Sequence, residues 1–247
     1  VDIQSFDFNT LIEMQRRASS IRTSYLFGEG NLQCPPGDRS PWLGGLIWPY
    51  RITSRAHPFR VQTSGGFEGM GLSPDGGRLF AMLEKPLTTA DEPVLVIYEY
   101  DIEGHDFTGN IFHYPLDEGS TAIGELVMTS DARGLVVERD DSQGDLSGFK
   151  VIYAIELEGA GVPIRKTMLV DLMSIEDPNG FSAPIADGDV GLGETFAFPF
   201  FTIESLLPLD DGRLLVVNDN NFPMSVGRHV GSSRPDDTEF ILLELPE

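Results

Sequence analysis

The sequence predicts an all-β chain, a β-propeller built of four-stranded blades, and three observations predict it. From Gly66 onward, short apolar runs of β type alternate with turn chemistry, the texture of a domain made of many short strands. One hairpin recurs three times, as "FEGMGLSPDGGRLFAMLEK" (67–85), "IGELVMTSDARGLVVERDD" (123–141) and "IESLLPLDDGRLLVVNDNN" (203–221). Further strands follow each copy, such as "VLVIYEYD" and "FKVIYAIEL", so one unit amounts to about four strands, the size of a propeller blade. A sandwich has no need of the same hairpin three times with acids at matching ends.

Taken in order, residues 1–65 are the least regular part. "SFDFNTLIEMQRRASSIR" predicts a short helix capped by Asn9 or Thr10, with Leu11, Met14 and Ala18 on one face. "CPPGDRSPW" is a loop by its prolines and glycine, and "WLGGLIW" (42–48) is a buried strand or a loop packed on the core, part of a partial unit over 42–64. Three fuller units follow at 66–115, 122–172 and 203–247, forming one domain with the first 65 residues. Pro74-Asp75-Gly76-Gly77 and Asp210-Asp211-Gly212 are hairpin turns, because Asp and Gly tolerate the positive φ such turns need. Asp171 to Gly193 is a long polar, Gly-rich loop. Phe196, Phe198, Phe200 and Phe201 mostly alternate, as a half-buried segment packed between blades does.

Charge narrows the partners. The 247 residues carry 39 acidic and 17 basic side chains, a net charge of −22. Phosphate backbones are repelled by such a surface, so nucleic acid is excluded as a partner, while a cation or simple solubility accounts for the acidity. No apolar run reaches the roughly 18 residues of a membrane-spanning helix. Cys34 is the only cysteine, so no intrachain disulfide forms, and "QCPP" places no charge beside the thiol to activate it. The chain opens on Val1 instead of Met, which fits either a processed chain or a piece of a longer one.

The hairpins end in acids. Glu68 and Glu84 are 84 − 68 = 16 residues apart, Glu204 and Asp219 are 219 − 204 = 15 apart, and Glu125 and Glu138 give a shorter third interval of 138 − 125 = 13. Blades set equivalent positions around one axis, so the Glu that opens each first strand and the acid that ends each second strand gather at one mouth. Converging carboxylates repel, and a hard cation such as calcium, with six to eight oxygen ligands, relieves the crowding. Asn218-Asp219-Asn220-Asn221 reads two ways on this view: as oxygen donors delivered to the axis, or as an ordinary turn sequence.

These segments resemble the phytase-like family, often described by an esterase-like activity of phytase. The resemblance rests on "GGFEGMGLSPDGGRLFAMLEKPL", "LVVERDDSQG" followed by "KVIYAIEL", and "IESLLPLDDGRLLVVNDNNFPMSVGR" with "DDTEFILLEL", in order from Gly66 to Leu245. It implies a β-propeller and a phosphoester hydrolase, calcium-dependent by analogy with propeller phytases. It also implies an exported protein, periplasmic or extracellular, with an organellar lumen as the alternative. Carried over position by position, the metal-binding acids and amides are Glu68, Glu84, Glu138, Asp140, Glu204, Asn218, Asp219 and Asn220. Among the motif cations, Lys85, Arg139 and Arg228 are assigned to clamping phosphate, and Lys150 accompanies them. Three units and a partial one fall short of the four blades a closed ring needs, so the resemblance also implies a fragment or closure by the N-terminal region.

Two functions are left in competition. One is a metal-dependent phosphoesterase acting on a small phosphorylated compound; the other is a non-catalytic binding propeller whose calcium is structural. "GFEGMG" lacks dinucleotide spacing and opens a strand, and "DGDVGLGE" lacks the EF-hand order. His57, His105, His113 and His229 show no metal-ligand spacing, with His229 retained as a minor phosphate contact beside Arg228. No Gly-x-Ser-x-Gly elbow is present, which disfavours a serine esterase triad.

Overall fold

The computed structural model describes residues 66–87, 93–182 and 187–245, together with the backbone of two short N-terminal strands, β1 (Asp2–Ser5) and β2 (Arg22–Tyr25). The chain divides into two units, Val1–Phe67 with Lys85–Glu92 and Glu68–Glu84 with Pro93–Glu247. In the smaller unit β1 and β2 pair in parallel, Asp2 opposite Arg22. The expected helix near Leu11, the partial unit over 42–64 and Cys34 lie outside the described residues.

The larger unit is all-β among the described residues. Its first sheet is a four-stranded meander of β3 (Phe67–Leu72), β4 (Arg78–Leu83), β5 (Val94–Asp101) and β6 (Asp106–Pro115). The second repeats it with β7 (Ala122–Met128), β8 (Arg133–Arg139), β9 (Lys150–Glu156) and β10 (Arg165–Asp171). Two strands of two residues, β11 (Ile175–Glu176) and β12 (Thr195–Phe196), pair across the polar loop, which the sequence presents as wholly irregular. The third sheet holds β13 (Thr202–Pro208), β14 (Arg213–Asp219) and β15 (Phe240–Glu244), three strands where the repeat predicts four. All pairings within these sheets that join β4 through β15 are antiparallel.

Turn chemistry sets the hairpins as the sequence predicts. Gly76 and Gly212 take φ of 74° and 83°. Asp75 accepts from the Gly77 amide and the Ser73 hydroxyl, closing the first turn on its own side chain.

Strand composition follows burial. β8 and β9 are almost continuously apolar because their sheet is covered on both faces. Val136, Val151, Tyr153 and Ile155 join Phe80, Met82, Leu95, Ile97 and Phe112 in one core between the first and second sheets. Leu135, Val137 and Ile152 point the other way, into a second core with Ile203, Leu206, Leu214, Val216 and Leu243. Phe198 and Phe200 are fully buried in that second core, in line with their alternating pattern. β14 and β15 instead alternate, and their far face leaves Phe240 and Leu242 exposed.

The first strands of the three sheets stand side by side, and glycine lets them approach. A Cβ on Gly69 would lie 2.8 Å from Leu126 Cβ, and one on Gly71 would lie 2.7 Å from Met128 Cγ. At Gly124 the obstacle is the backbone: a Cβ there would sit inside contact distance of the Ile203 carbonyl oxygen on β13. Gly124→Ala is therefore expected to cost about 3 kcal/mol by forcing β7 and β13 apart, read as a lower urea midpoint with an unchanged slope.

Candidate functional site

The hairpins become comparable once they are aligned on the arginine that opens each second strand. Arg78, Arg133 and Arg213 begin β4, β8 and β14. Six residues on from these arginines stand Glu84, one past the end of β4, and Arg139 and Asp219, the last residues of β8 and β14. On the partner strands, β7 carries a bulge between Ile123 and Glu125, and β13 one between Ile203 and Ser205. The extra residues are Gly124 and Glu204. Bulges re-aim a side chain and recur next to functional sites.

The equivalent pairs are thus Glu68 with Glu84, Gly124 with Arg139, and Glu204 with Asp219. Their separations are 84 − 68 = 16, 139 − 124 = 15 and 219 − 204 = 15. The interval of 13 read from Glu125 to Glu138 comes from choosing the wrong pair. The middle repeat departs from the other two by losing its first acid and inverting the charge of its second.

Arg139 consequently stands among carboxylates from all three sheets. It is buried, with Nη2 2.9 Å from Glu84 Oε1 and Nη1 2.8 Å from Asp141 Oδ1. Among the described residues its Nε has no hydrogen-bond partner. The Phe201 ring lies 6.0 Å from the guanidinium carbon. The Ile123 amide donates to the Glu84 carbonyl at 3.1 Å, so the backbone itself ties the first sheet to the second here.

Burial pushes the Glu68 carboxyl up to about 7, and the charges of Glu204, Glu84 and Asp219 add to the rise while Arg139 opposes it. Glu204 is likewise pushed up to about 7, by burial and then by Asp219, with Arg139 and a Thr202 hydrogen bond acting against. Each of these acids therefore feels the others. Arg139 pairs with Glu84 and Asp141 and opposes the rise at Glu68 and Glu204.

The remaining sequence candidates are placed as follows. Glu138 faces the opposite side of β8 from Arg139, as adjacent strand residues must. It is buried, and it accepts from the Tyr114 hydroxyl, from the Asp117 amide at 2.7 Å and from Lys166 Nζ at 2.6 Å. Lys166 also sits 4.8 Å and 4.3 Å from the Tyr114 and Tyr153 ring centres, and burial followed by Glu138 drives the Tyr114 hydroxyl far above its ordinary range. This second cluster, invisible as a unit in the sequence, ties the first two sheets together.

Asp140 pairs with the buried Lys150 at 2.5 Å and accepts from the Ser142 hydroxyl at 2.8 Å. Asn218 accepts from the Glu239 amide at 2.6 Å and donates to the Asp237 carbonyl at 3.0 Å. Asn220 donates to Thr238 and accepts from the Phe222 amide, and Asn221, at φ 46°, donates to Thr202 Oγ1. The turn reading of Asn218-Asp219-Asn220-Asn221 accounts for the three asparagines. Asp219 joins the carboxylates, and its three neighbours end the strand and fasten the loop that follows.

Arg228 is buried between the Phe196 and Phe200 rings. Its Nε and Nη2 donate to Glu239, and Nη1 and Nη2 to the carbonyls of Val190 and Ala197. Its guanidinium pins the loop before β15 to the segment before β13. His229 is enclosed between Asp189 at 2.7 Å and Asp237 at 3.2 Å. Lys85 belongs to the smaller unit.

Among the described residues no three acids or histidines stand close enough to form a ready metal cage. The groups gathered here are carboxylates in excess over Arg139, with two glutamates whose ionisation is opposed by burial. No helix among the described residues is long and apolar enough to cross a membrane.

Neither the curated proteins nor the solved structures include a match to this chain. A family model does match, over residues 40–222, well over half of the sequence. The matched stretch takes in all three hairpins and the whole carboxylate cluster, and it stops short of Arg228 and the last strand. The chain belongs to the phytase-like family, the family described as having the esterase-like activity of phytase.

Proposed function

We propose that the chain is part of a β-propeller hydrolase that cleaves a phosphoester in a small phosphorylated compound, with calcium held at the carboxylate cluster. The observation that supports this reading is that Glu68, Glu84, Glu204 and Asp219, from two of the repeats, feel one another's charge beside the buried Arg139 of the third. These four residues would hold the cation. A divalent cation so bound supplies charge neutralisation at the phosphoryl group and lowers the pKa of water. Arg139 fixes the orientation of the carboxylates through Glu84 and offers a donor toward a phosphate oxygen. Burial opposes the ionisation of Glu68 and Glu204, and a bound cation would relieve that opposition. An exported location, periplasmic or extracellular, goes with a calcium requirement; an organellar lumen serves equally.

One observation favours the alternative, a non-catalytic binding propeller with structural calcium. Arg228 and Lys150, which the family motifs bring near the acids in sequence, are spent on Glu239 and Asp140. Phosphate release from a generic phosphomonoester, with and without chelator, separates the two. The hydrolase reading expects calcium-dependent release that falls roughly 100-fold in Glu68→Gln while the metal-free melting temperature does not fall. Absence of release, with the same variant losing only its calcium-induced stabilisation, selects the binding reading.

A further inference from the structure

The loop between β14 and β15 meets the loop after β8 at one side chain, Gln143. Its Oε1 accepts from the Ser225 hydroxyl at 2.7 Å, from the Val226 amide at 2.8 Å and from the Gly227 amide at 3.1 Å. An uncharged amide oxygen has two lone pairs, so three donors exceed its needs and match an arrangement that stabilises an oxyanion. They also fix the amide, with Oε1 toward them and Nε2 away. The Ser225 hydroxyl has a second acceptor, Asp236 Oδ2 at 3.3 Å. Ser225 and Asp236 are 2% and 4% exposed, and Asp236 Oδ1 has no hydrogen-bond partner among the described residues. Burial pushes the Asp236 carboxyl up to about 6, which makes it a stronger base than an ordinary aspartate. A carbonyl bond is about 1.2 Å long, so Gln143 Cδ lies within about 4 Å of Ser225 Oγ. The backbone holds the group in place: the Asp236 amide donates to the Ser225 carbonyl at 2.8 Å, and the Gly144 amide to the Pro199 carbonyl at 2.8 Å. Nucleophile, base, electrophilic carbon and oxyanion donors thus meet in one place.

We propose that Ser225 and Gln143 join in an intramolecular ester. Ser225 Oγ attacks Gln143 Cδ while Asp236 Oδ2 takes the hydroxyl proton, and the Val226 and Gly227 amides hold the negative charge on Oε1. The Cδ–Nε2 bond then breaks, and Nε2 leaves as ammonia with the proton that Asp236 returns. Hydroxyl and primary amide give ester and ammonia, so no oxidant or co-reactant enters. At neutral pH the ammonia becomes ammonium and is diluted away, which draws the exchange forward, and burial of Ser225 shields the product from water. The bond staples residues 82 apart in sequence and ties the second sheet's loop to the third's. It is independent of the hydrolase reading and of the carboxylate cluster.

The test is mass spectrometry of the full chain after incubation at mildly alkaline pH, first intact in denaturant and then as a tryptic digest. The expected result is an intact mass lower than the sequence mass by one ammonia, with peptides 140–150 and 214–228 recovered as a single species that hydroxylamine splits. Ser225→Ala restores the full mass and separate peptides, and Asp236→Asn slows the loss roughly tenfold or more. Should either variant fold poorly, the wild-type peptide map carries the test. A folded wild-type chain of full mass, its two peptides separate, overturns the proposal. An ammonia loss that persists in a folded Ser225→Ala also overturns it, because its source is then another residue.

Discussion

Arg139→Met is expected to destabilise the protein by about 3–5 kcal/mol, the cost of leaving a buried ion pair with one member. The arginine pairs with Glu84 and Asp141, and it lowers the carboxyl pKa of both Glu68 and Glu204. Methionine has similar length and no charge, so packing against Phe201 survives and the electrostatic loss is isolated. Without the guanidinium, Glu68 and Glu204 lose the positive charge that opposes their raised pKa values. Equilibrium urea unfolding at neutral pH measures the loss. The same substitution in a Glu84→Gln background is expected to cost markedly less, because the charge pair is already broken there. Equal costs in both backgrounds would show that the pair is not what Arg139 contributes.

The second large effect is on pH. Glu68 and Glu204 are pushed up from 4.5 to about 7, so between those values the folded chain holds protons that the unfolded chain has released. Stability of the metal-free protein therefore falls as pH rises through that window and levels off above about 7, where both states are ionised. Each shift corresponds to on the order of 3 kcal/mol. The pair together loses less than twice that, since Glu204 is one of the charges that raise Glu68. Asp236, pushed up to about 6 mainly by burial, adds a loss of the same sign starting lower. On the acid side, Asp117 and Asp140 are held below the usual range by Tyr153, Lys166, Lys150 and Ser142 against the effect of burial, so their contribution disappears as pH falls through their lowered values. Maximum metal-free stability is thus expected near pH 5. Urea midpoints in chelator across pH 4 to 9 measure it; a maximum at pH 8 would contradict the assigned cause.

Much of the fold was legible because local signals agree. The turns at Asp75-Gly76 and Asp211-Gly212 and the apolar runs of β4, β8, β9 and β14 place three hairpins within a residue or two of where they stand. Two things were hidden. Bulges at Gly124 and Glu204 shift the register by one residue, and a one-residue shift exchanges faces. That is why Glu138, adjacent in sequence to Arg139, belongs to the Tyr114–Lys166 cluster and not to the mouth. The signal that recovers the register was present: the arginine six residues before each terminal charge, at 78, 133 and 213. The fate of Arg228 and Lys150 was not legible, because Glu239 and Asp140 reach them through loop geometry that no periodicity encodes.

The central claim is that acids from two repeats and Arg139 of the third share one charge centre that a cation completes. Melting temperature at pH 8, in chelator and in millimolar calcium, tests it most directly when wild type is compared with Glu68→Gln and Glu204→Gln. Calcium should raise the wild-type midpoint, and each glutamine variant should start higher than wild type in chelator and gain little from calcium. A wild-type midpoint unmoved by calcium, with both variants melting below it in chelator, would contradict the account.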